Sequence, residues 1–98
     1  MHGSDILAIL LPLLLVIMIW NVMWDVVSRL SIQRFYNKGN TFLKSGKYKE
    51  ALEAFEQVIK LKPDFAEAWY NKGVILEGLW RYEEALEAYN IAIKLKPD

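Results

Sequence analysis

No cysteine occurs in the 98 residues. Disulfides, thiolate nucleophiles, Cys-ligated zinc and iron–sulfur clusters are therefore excluded. Histidine occurs once, as His2, so neither a His-ligated metal site nor a Ser-His-Asp triad has the side chains it needs. Net charge is also lacking, with 12 Lys+Arg against 12 Asp+Glu. A basic nucleic-acid-binding face and a polyacidic tail are both disfavoured by that balance. Carboxylates are present, but Glu50, Glu53, Glu56, Glu83, Glu84 and Glu87 fall at helix-surface spacing with no second catalytic residue type beside them. The expectation is a protein that is not an enzyme, with no catalytic residues, no metal and no cofactor.

Two further absences are local. Residues 1–28 hold no Lys or Arg, and their only acids are Asp5 and Asp25. From Arg29 to Lys49 there are six bases (Arg29, Arg34, Lys38, Lys44, Lys47 and Lys49) and no acid before Glu50. The apolar share of 54% exceeds the roughly 45–50% of ordinary soluble domains, and the excess lies at the N-terminus.

Residues 6–24 read ILAILLPLLLVIMIWNVMW, in which only Pro12 and Asn21 are not apolar. As a helix they span about 28 Å, close to the hydrocarbon thickness of a bilayer. The run is apolar all round, whereas an interfacial helix keeps a polar face. Trp20 and Trp24 stand at its C-terminal end, where aromatic side chains meet the head groups. A cleaved signal peptide competes with this reading, but the start carries no base and no A-x-A site follows. A core helix buried in a soluble oligomer is the other alternative. The expectation is an anchor over residues 1–28, spanning about 6–24, in contact with membrane lipid. The basic collar after it places the remaining residues, 29–98, in the cytoplasm by the positive-inside bias. The same collar suits anionic head groups, or is an ordinary solvated surface. Pro12 kinks the helix or marks its first turns.

The rest of the chain repeats itself with a period of 34. Tyr36-Asn37-Lys38-Gly39 falls on Tyr70-Asn71-Lys72-Gly73, and Glu50-Ala51-Leu52-Glu53-Ala54 falls on Glu84-Ala85-Leu86-Glu87-Ala88. Ile59-Lys60-Leu61-Lys62-Pro63-Asp64 falls on Ile93-Lys94-Leu95-Lys96-Pro97-Asp98. A fixed period of this length signals stacked helix–turn–helix units. Helices are expected at about 32–45, 48–61, 66–79 and 82–95. Gly46 suits a left-handed turn between the first two. Asp64, with Glu67 three later, reads as an N-cap pair. Lys49–Glu53 and Glu56–Lys60 read as i,i+4 ion pairs. Nothing between Trp24 and Lys38 breaks a helix, so the anchor either continues into the first repeat helix or unwinds near Ser28–Ser31.

These residues resemble the tetratricopeptide repeat (TPR) family. The first repeat, 32–65, supplies Phe35, Gly39, Phe42, Ala51, Phe55 and Pro63 to the family pattern. The second, 66–98, supplies Trp69, Gly73, Leu76, Ala85, Tyr89 and Pro97. Lys38 and Lys72 depart from the Leu usual before the Gly, and Trp80 stands where the first repeat has Gly46. The resemblance, which covers residues 32–98, implies two repeats of an α-solenoid; with the apolar run before them, the expected fold class is all-α, an N-terminal transmembrane helix followed by two repeats.

It also implies a concave groove, walled by the first helix of each repeat, that takes a protein or peptide. By family position the groove residues are Gln33, Tyr36, Asn40, Leu43 and Lys44, then Glu67, Tyr70, Asn71, Val74, Glu77 and Gly78. Asn40 and Asn71 match a carboxylate clamp found in some relatives, but Tyr36 replaces its first Lys and no third repeat is present, so that clamp is not expected. The functional expectation is a membrane-anchored scaffold or adaptor that recruits a protein or peptide and no nucleic acid. The alternatives are a homo-oligomer assembling through stacked repeats or anchor helices, and a truncated or engineered fragment of a longer array. The second helix of the second repeat leaves Leu86, Ile93 and Leu95 without a covering helix, which points to association.

Overall fold

The computed structural model describes residues 3–97, all in helices and short turns among the described residues. The elements are α1 (Gly3–Lys44), α2 (Tyr48–Leu61), α3 (Ala66–Gly78) and α4 (Tyr82–Leu95). Apart from the expected start at 32, which falls inside α1, each expected repeat-helix bound lies within one residue of the observed one. α1 is assigned without interruption from Gly3 through Lys44 and contains Pro12, so there is no unwinding near Ser28–Ser31. The chain divides into two compact units, Met1–Leu30 and Ser31–Asp98.

In the first unit, burial plays no part. Every described side chain from Asp5 to Val27 is exposed, and the most apolar window has a mean hydropathy of 2.7 with none of it buried. By length and composition this segment is long and apolar enough to cross a membrane. Where the apolar run ends, Arg29 pairs with Asp25 at 3.0 Å, one helical turn apart.

In the second unit the small residues of the sequence allow close helix crossing. Ala51, Phe55 and Val58 of α2 meet Ala68 and Ile75 of α3, all fully buried. Leu76, Ala85 and Ala88 form a second cluster between α3 and α4. Phe55 lies flat against Gly39, where a Cβ would come within 2.8 Å of its ring, and Tyr89 takes the same place against Gly73 at 2.6 Å. The two lysines that replace the usual Leu set their ammonium groups over rings, Lys38 over Phe42 at 5.9 Å and Lys72 over Trp69 at 5.2 Å.

Both intra-repeat corners use one backbone device. After α1, the Lys47 N–H reaches back to the Phe42 carbonyl (2.9 Å), and after α3 the Arg81 N–H reaches Leu76 (2.8 Å). This six-to-one closure needs a left-handed residue just before its donor. Gly46 supplies it with φ +74°, and Trp80 adopts the same region with φ +62°. Trp80 is 78% exposed, with its ring edge-on to Tyr82.

Three local expectations are corrected. Asp64 is not the N-cap of α3: Phe65 holds that position, and no side chain caps it. Packing overrides capping there, because the Phe65 ring docks on Tyr36 with centroids 5.2 Å apart. Glu56 turns away from Lys60 to Lys72 across the α2–α3 interface, at 3.9 Å, and Lys49 and Glu53 form no ion pair.

Candidate groove between the repeats

Tyr36 of α1 and Tyr70 of α3 occupy equivalent positions, and each packs on the equivalent ring of its own repeat. Tyr36 meets Phe55 edge-on at 5.5 Å, and Tyr70 meets Tyr89 at 5.5 Å. The Asn71 amide donates to the Tyr36 hydroxyl (3.4 Å), joining the two repeats through side chains. Around these residues lies an open groove of about 490 Å³, lined by Tyr36, Ala66, Glu67, Tyr70, Asn71, Tyr89, Ala92, Ile93 and Lys96. Its floor is aromatic and aliphatic, and its polar groups are few, a composition suited to holding an apolar side chain in a fixed orientation.

Electrostatics concentrate at two edges. Lys96 pairs with Glu67 at 3.0 Å, and this hydrogen bond lowers the Glu67 carboxyl below its ordinary value. The pair is exposed, so it orients side chains more than it stabilises the fold. The Tyr89 hydroxyl is pushed up to about 12, first by burial and then by its hydrogen bond to Glu77. Both causes favour the protonated phenol.

Of the residues expected at the groove, Tyr36, Glu67, Tyr70 and Asn71 line it together. The others do not. Gln33 donates to Asn37 on its own helix at 2.9 Å. Leu43 packs against the core. Asn40 and Val74 are half-buried, Lys44 is exposed at the end of α1, and Glu77 reaches Tyr89. Sequence reasoning missed Tyr89, Ala92, Ile93 and Lys96 because it assigned the groove to the first helix of each repeat alone. A signal was available: under the 34-residue shift these residues match Phe55, Val58, Ile59 and Lys62. Among the described residues, no group of three His, Asp or Glu side chains is placed to hold a metal ion.

Comparison with known proteins agrees with this architecture. The family model for the tetratricopeptide repeat matches residues 36–98. The crystal structure of MamA is similar at a TM-score of 0.65 and 27% identity, over 67% of this chain and 39% of that one. The likeness thus spans well under half of MamA. No curated protein matches. The repeat period, the paired corners and the family match together place the chain in the tetratricopeptide repeat family.

Proposed function

We propose that this protein is a membrane-tethered scaffold: the apolar segment at 6–24 spans the bilayer once, and the repeats face the cytoplasm and recruit a protein or peptide through the groove. The observation that carries the reading is the division of the chain. One end exposes an uninterrupted apolar helix that nothing in the described structure covers, which is stable in hydrocarbon and not in water. The other is a small repeat domain with an apolar groove edged by Glu67, Asn71 and Lys96. The basic collar from Arg29 to Lys49 supports the cytoplasmic orientation and favours anionic head groups. Family membership supports protein binding, since stacked repeats present extended recognition surfaces.

The anchor is tested by flotation of cell membranes after an alkaline carbonate wash. The full chain stays in the floating fraction. A variant with Leu10→Lys, Leu14→Lys and Ile17→Lys is released, because each charge near the bilayer centre costs about 2.5–3.5 kcal/mol. A wild-type chain that leaves the membrane in carbonate defeats the anchor.

A further inference from the structure

We propose that the end of the repeat unit where α2 and α4 finish is a membrane-contacting face that recognises anionic phospholipid head groups. The inference rests on the reading of residues 6–24 as an anchor and adds a second contact with the same bilayer. The groove plays no part in it.

Two equivalent tips carry the face. α2 ends in Lys60-Leu61 with Lys62 as its C-cap, and α4 ends in Lys94-Leu95 with Lys96 as its C-cap. All of these side chains are exposed, including the leucines, 37% exposed at Leu61 and 39% at Leu95. α2 and α4 are the second helices of their repeats, so both tips stand at one end of the unit. The attraction of a base to a helix C-terminus accounts for Lys60 and Lys94. It does not account for an apolar side chain left in water between two ammonium groups, twice over. Leu61 is followed directly by α3, so exposure at this step belongs to the tip itself and does not come from being the last helix.

Charge is divided unevenly between the two ends of the unit. Within one turn of the tips the bases are Arg34, Lys60, Lys62, Lys94 and Lys96, and the acids among the described residues are Asp64 and Glu67. Lys96 is paired with Glu67, while Arg34, Lys60, Lys62 and Lys94 enter no ion pair among the described residues. At the opposite end Lys44, Lys47, Lys49 and Arg81 are matched by Glu50, Glu77, Glu83 and Glu84. Only the end with the tips is a basic surface. Lysines flanking an exposed leucine suit a bilayer surface in both respects. The ammonium groups meet lipid phosphates and carboxylates, and the leucine enters the head-group boundary.

The covalent chain keeps this end within reach of the bilayer. The Tyr36 ring meets Phe65, the N-cap of α3, so the first residues of the unit lie at the same end as the tips. The unit begins at Ser31, seven residues after Trp24, and that stretch measures at most about 25 Å even when fully extended. Such a tether raises the effective concentration of the lipid surface at the tips. A soluble acidic partner gains nothing comparable, which is why the bilayer is the occupant.

The absence of cysteine allows one fluorophore per chain, placed by Leu61→Cys, Leu95→Cys or, at the opposite end, Ser45→Cys. The full chain is incorporated in nanodiscs with head-group spin-labelled lipid as quencher, in phosphatidylcholine alone or with about 30% phosphatidylserine. Expected is quenching at positions 61 and 95 that is at least about twofold stronger in the anionic discs, with position 45 unquenched. It is lost in about 1 M salt, where the screening length falls to about 3 Å. It is also lost in a Lys60→Glu/Lys94→Glu variant, which keeps every base from Arg29 to Lys49. Circular dichroism checks that this variant is folded, and Lys60→Gln/Lys94→Gln is the milder second variant with a partial loss. The proposal is overturned by quenching at 61 and 95 no stronger than at 45, by quenching independent of lipid charge, or by quenching that both double variants retain. A label shielded from water without lipid quenching would assign the face to a protein contact and overturn it too. Any of these results from a chain recovered with the discs defeats the face and leaves the anchor standing, whereas a chain not recovered with the discs defeats both.

Discussion

Gly39→Ala and Gly73→Ala are chemically identical changes at equivalent repeat positions, and the packing predicts unequal costs. In both, the new methyl enters an aromatic ring, at 2.8 Å from Phe55 and 2.6 Å from Tyr89. Distance alone makes Gly73 the worse site. What decides the outcome is whether the ring can retreat. Phe55 is fully buried, held by Tyr36 on one side and by the α2–α3 core around it. Tyr89 borders the open groove and can swing outward at the expense of its contacts with Tyr70 and Glu77. Overpacking a closed core costs about 1–3 kcal/mol, and replacing a helical glycine by alanine returns about 1 kcal/mol of propensity. Gly39→Ala should therefore lose about 1–2 kcal/mol and Gly73→Ala about 0–1 kcal/mol, taking the lower half of the overpacking range for the mobile ring. In a repeat unit of this size 1 kcal/mol moves Tm by about 4–8 °C. Urea and thermal unfolding of the full chain in detergent, followed by circular dichroism, reads both variants. Equal losses, or a larger loss at Gly73, would refute the reasoning that ring mobility sets the cost.

Two further outcomes follow from the corner at Trp80 and from Tyr89. Trp80→Gly should leave stability within about 1 kcal/mol of wild type, since relief of the left-handed backbone offsets the lost contact with Tyr82. Trp80→Val, β-branched at the same positive φ, should be at least about 1 kcal/mol less stable than Trp80→Gly in the same urea assay. Tyr89 ionises late: its folded value is raised from 10.0 to about 12. A raised value means the native state favours the neutral phenol, so this contribution is intact below pH 10 and is lost between about pH 10 and 12. Absorbance titration at the phenolate band should show a late phase that Tyr89→Phe removes and Glu77→Gln shifts to lower pH.

Where a sequence feature acted through the backbone or the repeat period, the structure could be read ahead of time. The 34-residue identity located the repeat helices, and Gly46 announced a left-handed turn because glycine tolerates one. Trp80 at the same step was legible as a departure, but that a tryptophan would adopt the glycine conformation was not. There the backbone closure between Arg81 and Leu76 dictates φ, and side-chain preference yields. Asp64 failed as a cap for a similar reason. Local capping chemistry favoured it, yet the contact of Phe65 with Tyr36 is non-local and fixes where α3 begins. The groove was half legible. Tyr36, Glu67, Tyr70 and Asn71 came from the first-helix pattern, while Tyr89, Ile93 and Lys96 belong to a second helix whose equivalents are covered in repeat one. That Ile93 would stand uncovered was legible in the repeat pattern, but that Tyr89, Ile93 and Lys96 would join Tyr36 and Tyr70 in one groove was not, because it depends on how α4 packs beside α3.

The scaffold reading is tested most directly by site-specific photo-crosslinking in intact membranes. A photoreactive amino acid is placed in the full chain at Tyr70 or Asn71, inside the groove, and at Lys60, on the exposed face of α2. The account predicts a discrete adduct with a protein from the groove positions, absent from Lys60 and lost when Tyr36 is changed to Ala. Adducts of equal yield and size from all three positions, or none from the groove, would contradict it.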